Sequence, residues 1–363
     1  MPLLDPRVTK QAEIIVDYSL NFKKGERAMI RFGFLGLPLL YEIYRLLLQR
    51  GAAEVAFQPE LGEEDLMEIF LKNTGPEQRQ TYPKIYDFAI HNVDCFIILD
   101  SPRNSRYLTN VDPRRMSEYS KTLKPILDYR VNHTRWIVTQ FPTESSAQDA
   151  EMSLNEYADF LFAAINEVDW PRLAAQQEKL LARMDATRQV RILGEDTELS
   201  FSIKGRKAKN ARGDANMPDG EVYTSVVEDS TNGHIHYTFP AIYYGKEFHN
   251  VRLEFKDGKV VKATASKGEQ DLNKILDQDE GARRIGELGV GNNFAIQKFT
   301  KNILFDEKIG GTIHLALGQG YEDTKSENKS ALHWDMIKDL RQSGELWFDD
   351  ELVQKNGQWL IKL

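Results

Sequence analysis

The run Asp94-Cys95-Phe96-Ile97-Ile98-Leu99 (DCFIIL) decides the fold of the first half of this chain. After its first residue it is continuously apolar, the pattern of a strand covered on both faces. Working outward, ERAMIRF (26–32), EVAFQ (54–58) and WIVTQF (136–141) read as further strands. Helical periods lie between them. Val8, Ala12, Ile15 and Val16 fall on one face of a helix over 7–21. Leu39, Ile43, Leu46 and Leu47 recur at the same spacing after Pro38, and Gly51 stops that helix. A shorter helical stretch covers Leu66 to Leu71. Strands that alternate with helices imply an α/β domain with a largely parallel sheet.

Ser153 with Glu156 three residues on forms a capping box, which predicts a helix to about Asn166. Asp169 with Pro171 starts another, to about Met184. Beyond Gln189 the pattern changes to short strands and turns: VRILG (190–194), ELSFSIKG (198–205), GHIHYTFP (233–240) and VRLEFKDGKVVKATA (251–265). Asp257-Gly258 between two alternating runs is a hairpin signal. Helical interruptions are expected near Leu272–Leu276 and Ala282–Leu288. The chain of 363 residues is too long for a single core to be the default. The reading is an α/β N-terminal domain over 1–185, closed by a helical linker, and an α+β, mainly β C-terminal domain over 186–363.

Lys and Arg number 47 against 55 Asp and Glu, for a net charge of −8. That balance argues against nucleic acid or an anionic membrane as partner. No apolar run approaches the roughly 20 residues that span a bilayer. The start, MPLLDPRVTK, lacks the cationic and apolar segments of a signal peptide. Cys95 is the sole cysteine and lies in an apolar run, so no disulfide framework forms and the thiol reads as buried and inert. A reducing compartment, the cytoplasm, is the expectation. GFLGLP and GELGVG contain glycines but lack the strand–loop–helix context of a nucleotide-binding loop.

The chemistry concentrates in Lys301–Lys338 (KNILFDEKIGGTIHLALGQGYEDTKSENKSALHWDMIK). In GGTIHLALG, alternation puts His314 and Ala316 on one face of a strand. In SALHWDM, the same period puts His333 and Asp335 on one side and Trp334 on the other. Imidazole with carboxylate is the donor set that borderline divalent ions such as zinc and cobalt favour. Two glutamates on loops would complete a cluster, Glu221 in MPDGEVYT and Glu287 in ARRIGELGVGNN. Each of these residues also has an ordinary alternative, a solvated carboxylate or a hydrogen-bonded core histidine. His234 and His236 (GHIHY) share a strand face too, and read as structural.

The stretches FDEKIGGTIHLALG, SALHWDM, DGEVYT and ARRIGELGVGNN together resemble the aminopeptidase T family of metallopeptidases, which includes staphylococcal and streptococcal aminopeptidases. The resemblance covers about Asn210 to Ile361, with the first half matching more loosely. It implies two divalent ions (zinc, cobalt, manganese or magnesium) held by Glu221, Glu287, His314, His333 and Asp335, with Tyr321 at the family's tyrosine position. HIHY is no part of the family's ligand pattern, and EDTKSE (322–327) is charged where relatives are often glycine-rich.

Five ligands fill two metal shells only if one carboxylate bridges, and Glu287 is the choice for that bridge. Glu307, its neighbour Asp306 or a ligand carboxylate such as Glu287 is the candidate general base; Asp306 and Glu307 have the alternative of binding Lys308 or capping a turn. Tyr321 is either the hydrogen-bond donor to the oxyanion or a packed turn aromatic. The implied activity is metal-dependent removal of N-terminal residues from short peptides with a free N-terminus, by a homodimer. The competing readings are a metal-dependent amidohydrolase on a non-peptide amide and a non-catalytic metal-containing binding protein.

Overall fold

The computed structural model describes residues 5–60, 63–243 and 245–363. They form two compact units, one reaching to Glu167 and including Gly213–Pro218, the other made of Val168–Arg212 and Asp219–Leu363.

In the first unit five strands form one parallel sheet, in the order Glu54–Glu60, Arg27–Gly33, Cys95–Asp100, Arg135–Gln140, Asn216–Met217. Cys95–Asp100 occupies the centre, with Cys95, Phe96, Ile97 and Leu99 buried. That position explains its unbroken apolar run, because helices cover both faces of a parallel sheet. Burial pushes the Cys95 thiol up to about 12. The helix Leu37–Gln49 ends at Gly51, whose φ of +83° carries the N–H of Ala52 back to the Leu47 carbonyl at 3.0 Å.

Beside Lys84–His91 and Glu144–Asp149, the longest element the apolar pattern does not display is a 21-residue helix, Pro113–His133. Pro125 lies within it and charged residues interrupt its apolar stripe, so the 3.6-residue period is hidden. Among the described residues, no helix is long and apolar enough to cross a membrane.

The second unit is built on two antiparallel sheets that share one apolar core. The larger has eight strands and contains the Asp257-Gly258 hairpin, both turn residues having positive φ (+49° and +79°). That is the backbone a two-residue hairpin turn requires. The smaller sheet has five strands in the order His333–Asp339, Thr312–Gly318, Ile285–Gly291, Glu221–Ser225, Lys209–Ala211.

This sheet corrects two expectations. Ala282–Leu288 is not helical, and neither Glu221 nor Glu287 sits on a loop. Ile285–Gly291 is a fully buried strand, and Glu221 opens its neighbour. The glycines that suggested a loop are packing devices instead. A Cβ at Gly286 would meet the Gly318 carbonyl, and one at Gly291 the Ile309 carbonyl. The helix expected at Leu272–Leu276 is present as Glu269–Leu276.

Candidate metal centre

The register of the five-stranded sheet decides which side chains meet. Residues directly opposite on antiparallel strands share a face. Glu221 stands opposite Gly291, and Gly289 opposite His314. Ala316 stands opposite both Glu287 and Asp335, and Gly318 opposite His333. Glu221, Glu287, His314, His333 and Asp335 therefore project from one face, and each faces a residue with little or no side chain. A Cβ at Gly289 would collide with the His314 imidazole. The opposite face carries Val222, Leu288, Leu315, Trp334 and Met336 into the core.

Two groups result. Ligand atoms of Glu221, Glu307 and His314 lie within 4.8 Å of one another, as do those of Glu287, His333 and Asp335. His314 Nε2 is 3.3 Å from Glu221 Oε2 and 3.5 Å from Glu287 Oε1, so it joins the groups. His333 Nε2 is 3.4 Å from Asp335 Oδ2 and 3.6 Å from Glu287 Oε2. The carbonyl of Gln319, 2.7 Å from His333 Nδ1, fixes that ring so that Nε2 faces the carboxylates.

Charge in the cluster is unbalanced. Burial raises the carboxyl pKa of Glu221 and of Glu287. Burial would lower both imidazoles, but the surrounding carboxylates outweigh it and raise each to about 10. Burial would likewise raise Asp335, yet the His333 hydrogen bond and both imidazoles hold it below its ordinary range.

Lys308 is the participant that motif reading places outside the site. It is fully buried, donates to Glu221 Oε1 at 2.8 Å and to Glu307, and lies 3.9 Å from Asp219 Oδ1. Its only sequence signal is a position six residues before His314 in an apolar strand approach. Asp306 holds backbone instead, since its Oδ1 accepts from the Thr300 backbone N–H at 2.7 Å and from the Thr300 hydroxyl at 2.9 Å. Tyr321 is 47% exposed, its ring 5.4 Å from those of His333 and Tyr223. His234 and His236 lie on the eight-stranded sheet, with His234 3.5 Å from Asp196.

The donor set fits a divalent cation. Glu221 Oε2, Glu287 Oε2 and His314 Nδ1 are buried without a hydrogen-bond partner. Leaving such an atom unsatisfied costs about 1–3 kcal/mol, more for a charged group. Carboxylate and imidazole donors crowded on one face are what a borderline divalent ion would satisfy together.

The family model described as thermophilic metalloprotease (M29) matches residues 4–359. Aminopeptidase 2 of Geobacillus stearothermophilus is 27% identical, over 90% of this chain and 87% of its own. Aminopeptidase PepS of Streptococcus thermophilus is 24% identical over 99% of this chain and all of its own. The structure of wild-type AmpT from Thermus thermophilus superposes with a TM-score of 0.86 at 20% identity, covering 98% of this chain and 99% of that one, and so shares its fold. With a family model spanning nearly its whole length, the chain belongs to the thermophilic metalloprotease (M29) family, and is a peptide-bond hydrolase that works with a divalent metal.

Proposed function

We propose that this metalloaminopeptidase removes residues one at a time from the free N-terminus of short peptides, working as a cytoplasmic homodimer. The observation that carries the reading is the pairing of two ligand groups, all but Glu307 on one sheet face, joined where His314 lies 3.5 Å from Glu287. Glu221, Glu287, His314, His333 and Asp335 would hold two divalent ions, with Glu287 shared between them. Bound there, the ions would supply a nucleophilic water of near-neutral pKa and an electrophile for the scissile carbonyl.

The chain's own residues do the rest. Glu307, placed beside Glu221 and His314, takes the water's proton and returns it to the leaving amine. Lys308 ties Glu221 to Glu307 by donating to both. Tyr321 donates to the developing oxyanion. Burial, followed by the carboxylates of Glu287 and Asp335, raises its hydroxyl pKa, so it keeps its proton.

The test is hydrolysis of leucine p-nitroanilide after chelation and again after zinc or cobalt is restored. Activity should vanish and return, and the N-acetylated substrate should be inert. Equal turnover of the acetylated substrate would replace this reading with a non-peptide amidohydrolase. Indifference to chelation would remove the metal centre from the mechanism.

A further inference from the structure

Beside the metal centre lies a cavity of about 150 Å³ that the mechanism above does not use. Two of its lining residues, His333 and Asp335, belong to the centre itself. The rest of the lining is mostly apolar. Ile242 comes from the strand Ala241–Tyr243, Phe299 and Ile303 from the segment before the His314 strand, and Ile337 from the His333 strand. Phe299 stacks on Phe239 at 4.7 Å between ring centres and 8° between planes, which stiffens one wall.

Among the described residues, the strand His333–Asp339 is an edge of its sheet, and it contributes His333, Asp335 and Ile337 to the cavity wall. The polar lining is restricted. The Asp306 carboxyl is engaged by Thr300, and the Lys301 ammonium has Glu247 Oε1 at 3.5 Å.

We propose that this cavity receives the side chain of the substrate's N-terminal residue, and selects apolar side chains the size of leucine or phenylalanine over small or cationic ones. The proposal rests on the aminopeptidase reading given above. In such a substrate the first α-carbon bears both the free amine and the scissile carbonyl, so its side chain leaves from the atoms held at the centre. This cavity shares walls with the centre and so lies within its reach. An apolar cavity of roughly 150 Å³ is large enough for a benzene ring, which sets the upper size. Asp335 is committed to the metal and Asp306 is held by Thr300. The Lys301 ammonium, 3.5 Å from Glu247, is then the wall charge that meets an entering lysine or arginine side chain, and it repels one at short range.

The experiment compares kcat/KM on the p-nitroanilides of leucine, alanine and lysine, and on dipeptides that start with leucine and vary in the second residue. Wild type should prefer leucine over alanine at least tenfold and should take lysine poorly. Ile303 is 45% exposed, so Ile303→Trp fills the cavity without disturbing the core, and the leucine-to-alanine ratio should fall at least tenfold. Lys301→Glu should raise the lysine-to-leucine ratio by a similar factor. Metal-dependent turnover of leucine p-nitroanilide with both ratios unmoved would overturn the pocket assignment alone. The same holds if Ile303→Trp shifts the preference for the second residue instead of the first. Absence of turnover on every free-amine substrate with every metal would overturn the aminopeptidase reading and the pocket with it.

Discussion

Lys308 Nζ donates to Glu221 Oε1 at 2.8 Å inside the protein, where the lysine meets no solvent and Glu221 almost none. It is a fixed cation in a cluster that also contains Glu287, Glu307 and Asp335. Breaking a buried ion pair by removing one partner costs about 3–5 kcal/mol, because the other charge stays buried. Lys308→Met should therefore lose that much stability in chelated protein at pH 9, where Glu221 is mostly ionised, read by urea unfolding. Divalent metal should restore part of it. A loss below about 1 kcal/mol would mean that the pair is neutral to stability.

Gly289→Ala tests the register that assembles the site. The Gly289 backbone is not in the left-handed region, so alanine meets no conformational obstacle there. The obstacle is the His314 ring, which occupies the space of the new methyl group. The imidazole must move, and a misplacement of about 1 Å at a catalytic centre can cost 100-fold. The expected result is normal far-ultraviolet circular dichroism, reduced metal content by elemental analysis, and kcat/KM down at least 100-fold. Unchanged metal content and turnover would show that His314 tolerates displacement.

Metal affinity should rise with pH. His314 and His333 are raised to about 10 in the metal-free protein, so both are protonated at neutrality and must release protons to become ligands. Calorimetric titration with zinc in two buffers of different ionisation enthalpy should show proton release, and the apparent affinity should increase from pH 6 to pH 9. The sign for folding is the opposite. A histidine raised in the folded state stabilises fully below its unfolded value and loses that contribution as pH climbs toward 10. Glu221, raised to about 8, likewise favours folding below its unfolded value and loses that contribution as pH passes 8. Chelated protein should melt at a lower temperature at pH 9 than at pH 6. No proton release on metal binding would contradict this account.

Tyr321→Phe removes only a hydroxyl. If that hydroxyl meets the oxyanion, kcat should drop by roughly 10²–10³ with KM little changed, the pattern for a donor used only in the transition state. A change in KM alone would assign Tyr321 to substrate binding through its contacts with Tyr223 and His333.

Much of this architecture is written in local pattern. The apolar run at Cys95–Leu99 announces a strand buried on both faces, and alternation alone places His333 and Asp335 together with Trp334 on the other side. Asp257-Gly258 specifies its hairpin because few residue pairs accept two positive φ values. Such features are legible because they depend on neighbours one to four residues away.

Only the tertiary structure decided the rest. Ala282–Leu288 reads as a helical interruption and Glu287 as a loop residue until the strands on either side are known, since the glycines of Ile285–Gly291 answer to Gly318, His314 and Ile309 rather than to their own neighbours. The bond between Lys308 and Glu221 spans 87 positions, and a lysine in a sequence carries no mark of burial. The meeting of Glu221 with His314, and of Glu287 with His333 and Asp335, follows from strand register. A shift of one residue would send every one of those side chains to the other face, so the site exists only once the whole sheet has paired.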